Sequence, residues 1–454
     1  MAGSIFVRPK AAPISGSGAP YAGAKYTFYL TGTSTLATVY TDSALSVAHS
    51  NPVIADANGT FAPIWLDPTK TYRAKLTTAA NVLIEDIDPV DSRALSASTI
   101  TFLQSGTGAV TTSVQAKLQG IAVDASDFGL IGDGVTNDQS AMDLLMNSSH
   151  KIIRFPKGVY RAYLNNSQSD RTFIFDEGAI IDGVAHIAIG QGPETPATLS
   201  IVKNVRVIGT IASTVRVGTF YCKNVNIDKI RIEDVNASYA NQAAEGGTKG
   251  VHFYYGSKDI YVGEIDAQSS AASSAAFFID TATLNDSTHR PNNICVGAVH
   301  VRSAATSAVA TTNVDNLVIN RILVDAYTGY HGVTFTGSDV TIGSISVDGA
   351  ATVGAYSNVY LLNNTRARIG SVLTKNSKSI GFYVSGSTNT VVNSIEATGN
   401  VSDGVRLLSP AVIGDIVATS NTGNGVYCLT PCTNAKIKTV TASSETCGVF
   451  QTRK

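Results

Sequence analysis

Six-residue units such as VGEIDA at 262–267, IGSISV at 342–347 and IGSVLT at 369–374 decide the fold of this chain. Each unit follows the pattern apolar–x–x–apolar–x–apolar, and successive units are mostly 21–27 residues apart, with two early intervals of 34 and 35 residues. Repeats of this length are typical of solenoids, in which each repeat stacks on the next. The other copies are VIGTIA (207–212, weaker), IDKIRI (227–232), VGAVHV (296–301), INRILV (319–324), VNSIEA (392–397), IGDIVA (413–418) and IKTVTA (437–442).

The second position of the unit predicts a bend. It is occupied by Gly263, Gly297, Gly343, Gly370 and Gly414, or by Asn320 and Asn393. Glycine and asparagine adopt a positive φ with little steric penalty. We therefore expect a positive-φ corner at this position, which lets the apolar residues on both sides face the interior.

A second unit precedes most of these by about ten residues, as in GVTFTG at 332–337 and GFYVSG at 381–386. Its period of two predicts a strand with one buried face. Two or three short strands in every rung of about 23 residues predict a right-handed parallel β-helix of about ten rungs between residues 200 and 454. A leucine-rich repeat and a propeller fit the spacing less well.

The first third of the chain has a different pattern. Residues 1–91 contain short strands such as GAKYTFYLTGTST at 23–35 and KTYRAKLTT at 70–78, and Pro89 is expected to end the last strand. These features predict a small β domain. Residues 92–124 then read as a connector with a short helix near 113–120, and residues 125–454 as the β-helix domain.

Composition excludes several classes of protein. The net charge is −1, charged residues are only 15%, and no basic run exists, so we expect no nucleic-acid partner. No stretch of eighteen apolar residues is present, so we expect no membrane insertion. The segment MAGSIFVRPK at 1–10 lacks the apolar core of a signal peptide. The five cysteines and the sparse acidic residues predict core thiols, with no metal and no cofactor.

One motif carries a resemblance to a known family. DFGLIGDGVTND at 127–138 resembles the D-F-G-x-x-G-D-G-x-T-x-D motif that starts the pectate-lyase-like β-helix of bacteriophage tail spikes and tail fibres. ITFLQSGTGAVTTSVQAKLQ at 100–119 is similar to the collar before that motif, and the segment from GAKY at residue 23 to YRAKL at residue 76 is similar to the domain that attaches such proteins to the tail. This start motif indicates architecture, because it occurs in hydrolases, lyases and non-enzymes alike.

The resemblance implies a homotrimer in the tail of the virion, made in the host cytoplasm. Its N-terminal domain would attach to a tail or baseplate protein, and its β-helix would bind bacterial surface polysaccharide and often cleave it. The sequence ends with the last rung, GVFQTRK at 448–454, and we expect no further domain after it. We therefore expect another tail protein, or the final residues themselves, to cover the exposed strand edges there.

Outward-facing charges cluster on the rungs between residues 227 and 348, and long insertions near 237–249 and 281–293 flank them. Glycoside hydrolysis requires two carboxyl groups about 5–9.5 Å apart. Asp325 and Asp348 occupy one predicted column, and Glu264 and Asp266 form a second candidate pair. His300 and Arg321 are candidate substrate-binding residues beside them. The alternative is a surface charge ladder in which Glu264 and Asp266 balance Lys229, Arg231 and Arg321.

The second unit predicts a further outward column, composed of His252, Phe277, Thr334, Tyr360, Tyr383, Arg406 and Tyr427, with Tyr254 beside it. Of these, His252, Tyr254, Tyr360 and Tyr383 are candidate contacts for sugar rings, although a trimer interface would use the same stripe. Three functions stay open: a receptor-binding spike with endoglycosidase activity, a non-catalytic structural or adhesive spike that bridges tail proteins, and a polysaccharide lyase.

Overall fold

The computed structural model describes residues 4–6, 18–91, 100–119, 121–183, 186–190, 201–214, 216–232, 250–254, 256–269, 275–280, 290–349, 357–429, 435–443 and 447–451. The chain divides into two compact units, Met1–Gly120 and Ile121–Lys454. Across the described residues the regular secondary structure is nearly all β-strand.

The first unit contains a four-stranded antiparallel sheet in the order β3-β2-β5-β6. Its core holds Tyr26, Phe28 and Tyr72, each at most 5% exposed. The elements are β1 (Ser4–Ile5), β2 (Lys25–Leu30), β3 (Val53–Ile54), β4 (Trp65–Leu66), β5 (Thr71–Thr77), β6 (Leu83–Asp91), β7 (Thr101–Phe102), β8 (Thr112–Ser113) and α1 (Val114–Gln119).

The last strand of this sheet does not end at Pro89, as the sequence led us to expect. Strand β6 continues to Asp91, and its pairing with β5 shifts register between Tyr72 and Ala74. An irregularity on an edge strand accommodates proline, because no ladder hydrogen bond is needed from its nitrogen there.

The second unit opens with β9 (Val123–Asp124), a short 3₁₀ helix (Ala125–Phe128), β10 (Asp133–Asn137) and α2 (Gln139–Asn147). The following strands are β11 (Ile152–Phe155), β12 (Gly158–Arg161), β13 (Leu164–Asn166), β14 (Arg171–Phe175), β15 (Ala179–Ile181), β16 (His186–Gly190), β17 (Val202–Ser213), β18 (Arg216–Phe220), β19 (Cys222–Ile232), β20 (Val251–Phe253), β21 (Lys258–Ser269), β22 (Phe277–Ile279), β23 (Asn292–Ala304) and β24 (Val309–Thr312). The remaining strands are β25 (Asp315–Val324), β26 (Val333–Thr336), β27 (Asp339–Asp348), β28 (Val359–Leu362), β29 (Arg366–Lys375), β30 (Phe382–Ser385), β31 (Thr390–Thr398), β32 (Val405–Leu407), β33 (Ala411–Thr419), β34 (Asn424–Cys428), β35 (Lys436–Ser443) and β36 (Cys447–Gln451).

These strands form two long parallel sheets. Sheet A contains the long, bent strands β17, β19, β21 and every second strand onward to β35, with β9–β12, β14 and β15 at its start. Sheet B contains β13, β16, β18 and every second strand onward to β36. Each rung contributes one strand to each sheet, so the chain coils as a solenoid. This arrangement confirms the predicted right-handed parallel β-helix.

The repeated units stack in register, as their sequence period requires. Ile319, Ile342 and Ile369 are direct partners on successive strands of sheet A, and Val359, Phe382 and Val405 are direct partners in sheet B. All six side chains are at most 2% exposed. Continuous apolar columns therefore fill the interior, and burial of this surface is the main term that stabilises the coil.

The bend within each sheet A strand differs from the prediction. Gly343, Gly370 and Gly414 do not have a positive φ. An ideal Cβ on each would instead lie 2.1–2.3 Å from the carbonyl oxygen of the matching residue one rung below. Glycine is therefore needed at this corner because the backbones of neighbouring rungs lie too close together for a Cβ atom. The positive φ values occur at another corner, at Asn204, Asn224, Asp259, Asn293 and Asn316.

The start motif locks the first turn of the coil. Asp138 is 2% exposed, and its carboxylate accepts hydrogen bonds from the backbone N–H groups of Ile131, Gly132 and Arg161 at 2.7–3.3 Å. Asp133 accepts bonds from Val135 and Thr136, which hold the pKa of its carboxyl below the usual value. The aspartates of the motif thus accept hydrogen bonds from backbone N–H groups, which agrees with a structural role for the motif.

Candidate functional site

A cluster of charged side chains lies on the outer face of sheet A, after the bend of its strands. Strands β19, β21 and β23 place Arg231, Asp266 and His300 directly beside one another. Asp266 accepts a hydrogen bond from Arg302 Nε at 2.9 Å, and its second oxygen lies 3.8 Å from Arg231 Nε. Two guanidinium groups therefore balance one carboxylate that is only 15% exposed.

His300 lies between two carboxylates. Its Nε2 is 2.7 Å from Asp325 Oδ2, and its Nδ1 is 4.0 Å from Asp266 Oδ1. Because the two acids flank one imidazole ring, their nearest oxygens are at most about 9 Å apart, below the ~9.5 Å upper limit of the carboxyl separation that glycoside hydrolysis uses. The structure thus brings together His300 and two of the four predicted catalytic carboxylates.

The other two predicted carboxylates have separate partners. Glu264 lies 3.1 Å from Lys229 Nζ in the neighbouring outward column, which continues through Ala298 to Arg321. Asp348 accepts a hydrogen bond from Asn376 at 2.8 Å. Asp325 and Asp348 each come directly after a residue of one matched pair on neighbouring strands. Their side chains nevertheless contact different partners, His300 and Asn376, so the geometry does not support the predicted pairing of these two acids.

Arg302 was not among the predicted site residues, and the reason is local. The register between β21 and β23 shifts after Ala267, so that Val301 and Ser303 have partners and Arg302 is the extra residue. Such a bulge re-aims a side chain. Here it lets Arg302 reach Asp266 and also the carbonyl oxygen of Ile232. A regular sequence period gives no sign of this insertion.

A second candidate surface is an outward column on sheet B. The rings of Tyr360 and Tyr383 stack with centroids 4.8 Å apart and planes 17° apart. His331 lies 4.8 Å from Tyr360, and the Arg406 guanidinium lies 5.4 Å over Tyr427. Tyr360 and Tyr383 are half-buried, so one edge of each ring remains accessible. This column supplies a row of aromatic ring edges on a rigid sheet.

Burial sets the protonation of two rings in this column. It raises the pKa of the Tyr360 hydroxyl, with a smaller contribution from Tyr383. It also lowers the pKa of His331, although a backbone hydrogen bond with Ser357 opposes the change. Both shifts favour neutral side chains, which suits contact with an uncharged sugar face.

At its lower end the column differs from the prediction. Register places Phe278 beside His252, whereas Phe277 faces the core and is fully buried. The predicted alignment of this strand was wrong by one residue, and an offset of one residue moves each side chain to the opposite face of the strand. His252 is itself only 1% exposed, because the rings of Tyr254, Phe278 and Phe220 pack 4.7–6.3 Å from it. Tyr254 is half-buried in the same ring cluster.

Two further findings concern the described residues alone. They contain no group of three or more histidine, cysteine or acidic side chains that could hold a metal ion. No helix among them is long and apolar enough to cross a membrane. The insertion near 237–249 lies outside the described residues, as does 281–289 of the second insertion.

No protein-family model matches the chain, and no curated protein matches it. Among solved structures, the surface protein and adhesin PfbA of Streptococcus pneumoniae is similar, with 14% identity, a TM-score of 0.43, and coverage of 73% of this chain and 100% of that one. Tailspike protein 3 of bacteriophage CBA120 has 14% identity and a TM-score of 0.41, covering 78% and 65%. A family 28 exopolygalacturonase of Yersinia enterocolitica has 12% identity and a TM-score of 0.36, covering 86% and 85%. The structural neighbours of this chain thus include phage tailspike proteins and pectin-degrading parallel β-helix enzymes.

Proposed function

We propose that this chain is a bacteriophage tail spike or tail fibre whose β-helix binds bacterial surface polysaccharide. The start motif at 127–138 supports the assignment, because its resemblance to tail spikes is matched by a capping geometry that begins a β-helix. In this proposal the first unit attaches the protein to the tail or baseplate, and three copies stand together in the virion.

The Tyr360–Tyr383 stack is the observation that carries the binding function. Sugar rings present apolar faces that pack on aromatic rings, and a rigid sheet holds these two rings parallel before any ligand arrives. A stripe between subunits of the trimer would use the same rings, so the binding test must separate these two roles.

Replacing both tyrosines by alanine should weaken binding to the host polysaccharide about tenfold or more, since each lost ring contact contributes on the order of 1 kcal/mol. Binding can be measured by titrating the purified full chain with a panel of capsular and lipopolysaccharide preparations. The matched control is Val412→Ala, which removes an exposed apolar side chain (46% exposed) from sheet A.

Sedimentation of the same variants distinguishes the two roles of the stripe. The proposal expects Tyr360→Ala/Tyr383→Ala to keep the oligomeric state of the wild type and lose polysaccharide. Unchanged polysaccharide binding together with a smaller assembly would instead assign the stripe to the subunit interface.

Cleavage of the polysaccharide is the second candidate function, and the Asp266–His300–Asp325 arrangement favours it. In a hydrolytic step the His300–Asp325 pair would donate a proton to the glycosidic oxygen as its bond to the anomeric carbon breaks. Asp266, which contacts Arg302 and Arg231, would take a proton from the attacking water. A non-catalytic adhesive spike would use the same residues as a surface charge ladder.

A further inference from the structure

Three lysines stand in one outward column at the start of the sheet A strands. Lys203 is the direct partner of Lys223, and Lys223 is the direct partner of Lys258, on the successive strands β17, β19 and β21. Neighbouring strands are about 4.8 Å apart, so the stems of these side chains repeat at that interval. Arg206, in the next outward column, adds a fourth exposed cation to the same face.

These cations are poorly neutralised. Lys223 lies 3.6 Å from Asp259, but within the described part of the chain neither Lys203 nor Lys258 forms an ion pair. Asp170 lies near the lower end of the column, where it accepts a hydrogen bond from Asn204. Like charges directly opposite on neighbouring strands are destabilising. The column therefore carries a repulsion that an anionic ligand would relieve.

A ladder of side-chain amides runs beside the lysines and is broken at one rung. Asn224 donates to Asn204 at 2.7 Å, Asn293 donates to Asp259 at 2.6 Å, and Asn316 donates to Asn293 at 3.2 Å. The side chain of Asp259 has no N–H to donate, so the Oδ1 atom of Asn224 receives no side-chain hydrogen bond from the described residues above it. The break thus leaves an acceptor beside Lys223.

The broken rung lies at the centre of a surface groove of about 460 Å³. Its lining consists of Lys203, Asn204, Lys223, Asn224, Asp259 and Asn293. The groove combines ammonium donors, amide groups and one free amide acceptor along the axis of the coil. A linear polymer that carries both hydroxyl groups and repeated anionic groups would match these donors and acceptors.

We infer that the groove beside Lys203, Lys223 and Lys258 binds an acidic polysaccharide, whose repeated carboxylate or phosphate groups lie along the lysine column. The inference rests on the proposed function and deepens it, because it names the chemical class of the glycan. The regular spacing of the lysines favours a linear polyanion over a single compact anion.

The test is a binding titration of the full chain with polygalacturonate, a poly(glycerol phosphate) teichoic acid and neutral dextran. We expect the wild type to bind at least one of the two polyanions, and to bind it less tightly as sodium chloride is raised from low to physiological concentration. Lys203→Gln/Lys258→Gln should weaken that binding about tenfold. Preference for one polymer identifies the anion as a carboxylate or a phosphate.

The matched control is Lys157→Gln/Lys378→Gln, which removes the same net charge from two exposed lysines outside the column. Equal loss in both double variants, equal affinity for dextran, or no binding of either polyanion would overturn the inference. If the inference about the polyanion fails, the proposed function still stands provided that a neutral polysaccharide binds through Tyr360 and Tyr383. Failure of every polysaccharide in the panel would remove both.

Discussion

Phe382→Ala will lower the free energy of unfolding by about 3–5 kcal/mol, the usual loss when a buried phenylalanine is truncated. Phe382 is fully buried in strand β30, between Val359 and Val405 on the neighbouring rungs. Close packing leaves little room for the surrounding side chains to collapse into the cavity. Chemical denaturation monitored by circular dichroism measures the change, and the rate of thermal unfolding can replace it if refolding is incomplete.

The control for this prediction is the next residue along the strand. Tyr383 faces outward and is half-buried, so Tyr383→Ala should cost about 1 kcal/mol or less. Two adjacent aromatic residues are thus predicted to differ severalfold in their effect on stability. Equal losses at both positions would mean that β30 does not alternate between interior and surface as the register requires.

Asp266→Asn and Asp325→Asn should each reduce depolymerisation of the host polysaccharide by about 10²–10⁴-fold, if the chain is a hydrolase, because each removes a proton-transfer group. Neither change alters the shape of the side chain. Release of reducing ends and the size distribution of the polymer measure the rate. Glu396→Gln is the matched control, since Glu396 occupies the same outward column four rungs after His300 and away from the cluster.

Full activity in both aspartate variants would assign the cluster to the surface charge ladder. Products that carry an ultraviolet-absorbing double bond would point to the lyase alternative. A wild type that binds polysaccharide without shortening it would establish the adhesive alternative, and the two variants should then still bind.

The architecture was predictable because the sequence contains a regular repeat. A period near 23 residues and apolar positions such as Ile342 and Ile369 specify stacked rungs before any coordinate is known. What escaped prediction depends on single-residue departures from that period. The bulge that re-aims Arg302 and the one-residue offset that buries Phe277 are both invisible to a pattern that assumes uniform rungs.

The corner glycines show a different limit. Their recurrence in the sequence marked the bend correctly, but glycine can be required either by a positive φ or by a close neighbour. At Gly370 the reason is the carbonyl oxygen of Gly343, which an added Cβ would approach to 2.3 Å. Only the stacking of one rung on another reveals that contact, since the two residues are far apart in the sequence.

The candidate site was predictable in part. Outward positions from the repeat located Asp266, His300 and Asp325, yet the hydrogen bond from His300 to Asp325 and the 4.0 Å contact from His300 to Asp266 depend on side-chain directions. The lysine column escaped because each lysine precedes the six-residue unit, at the start of its strand. A search for like charges at equal offsets before each unit could have found it.

Hydroxyl-radical footprinting of the full chain, with and without the polysaccharide that it binds, tests most directly whether the β-helix is the binding surface. Tyr360 and Tyr383 should become protected from oxidation by the polymer, while Tyr40 in the first unit should be oxidised equally in both samples. Protection confined to residues 1–120, with Tyr360 and Tyr383 unchanged, would contradict the account.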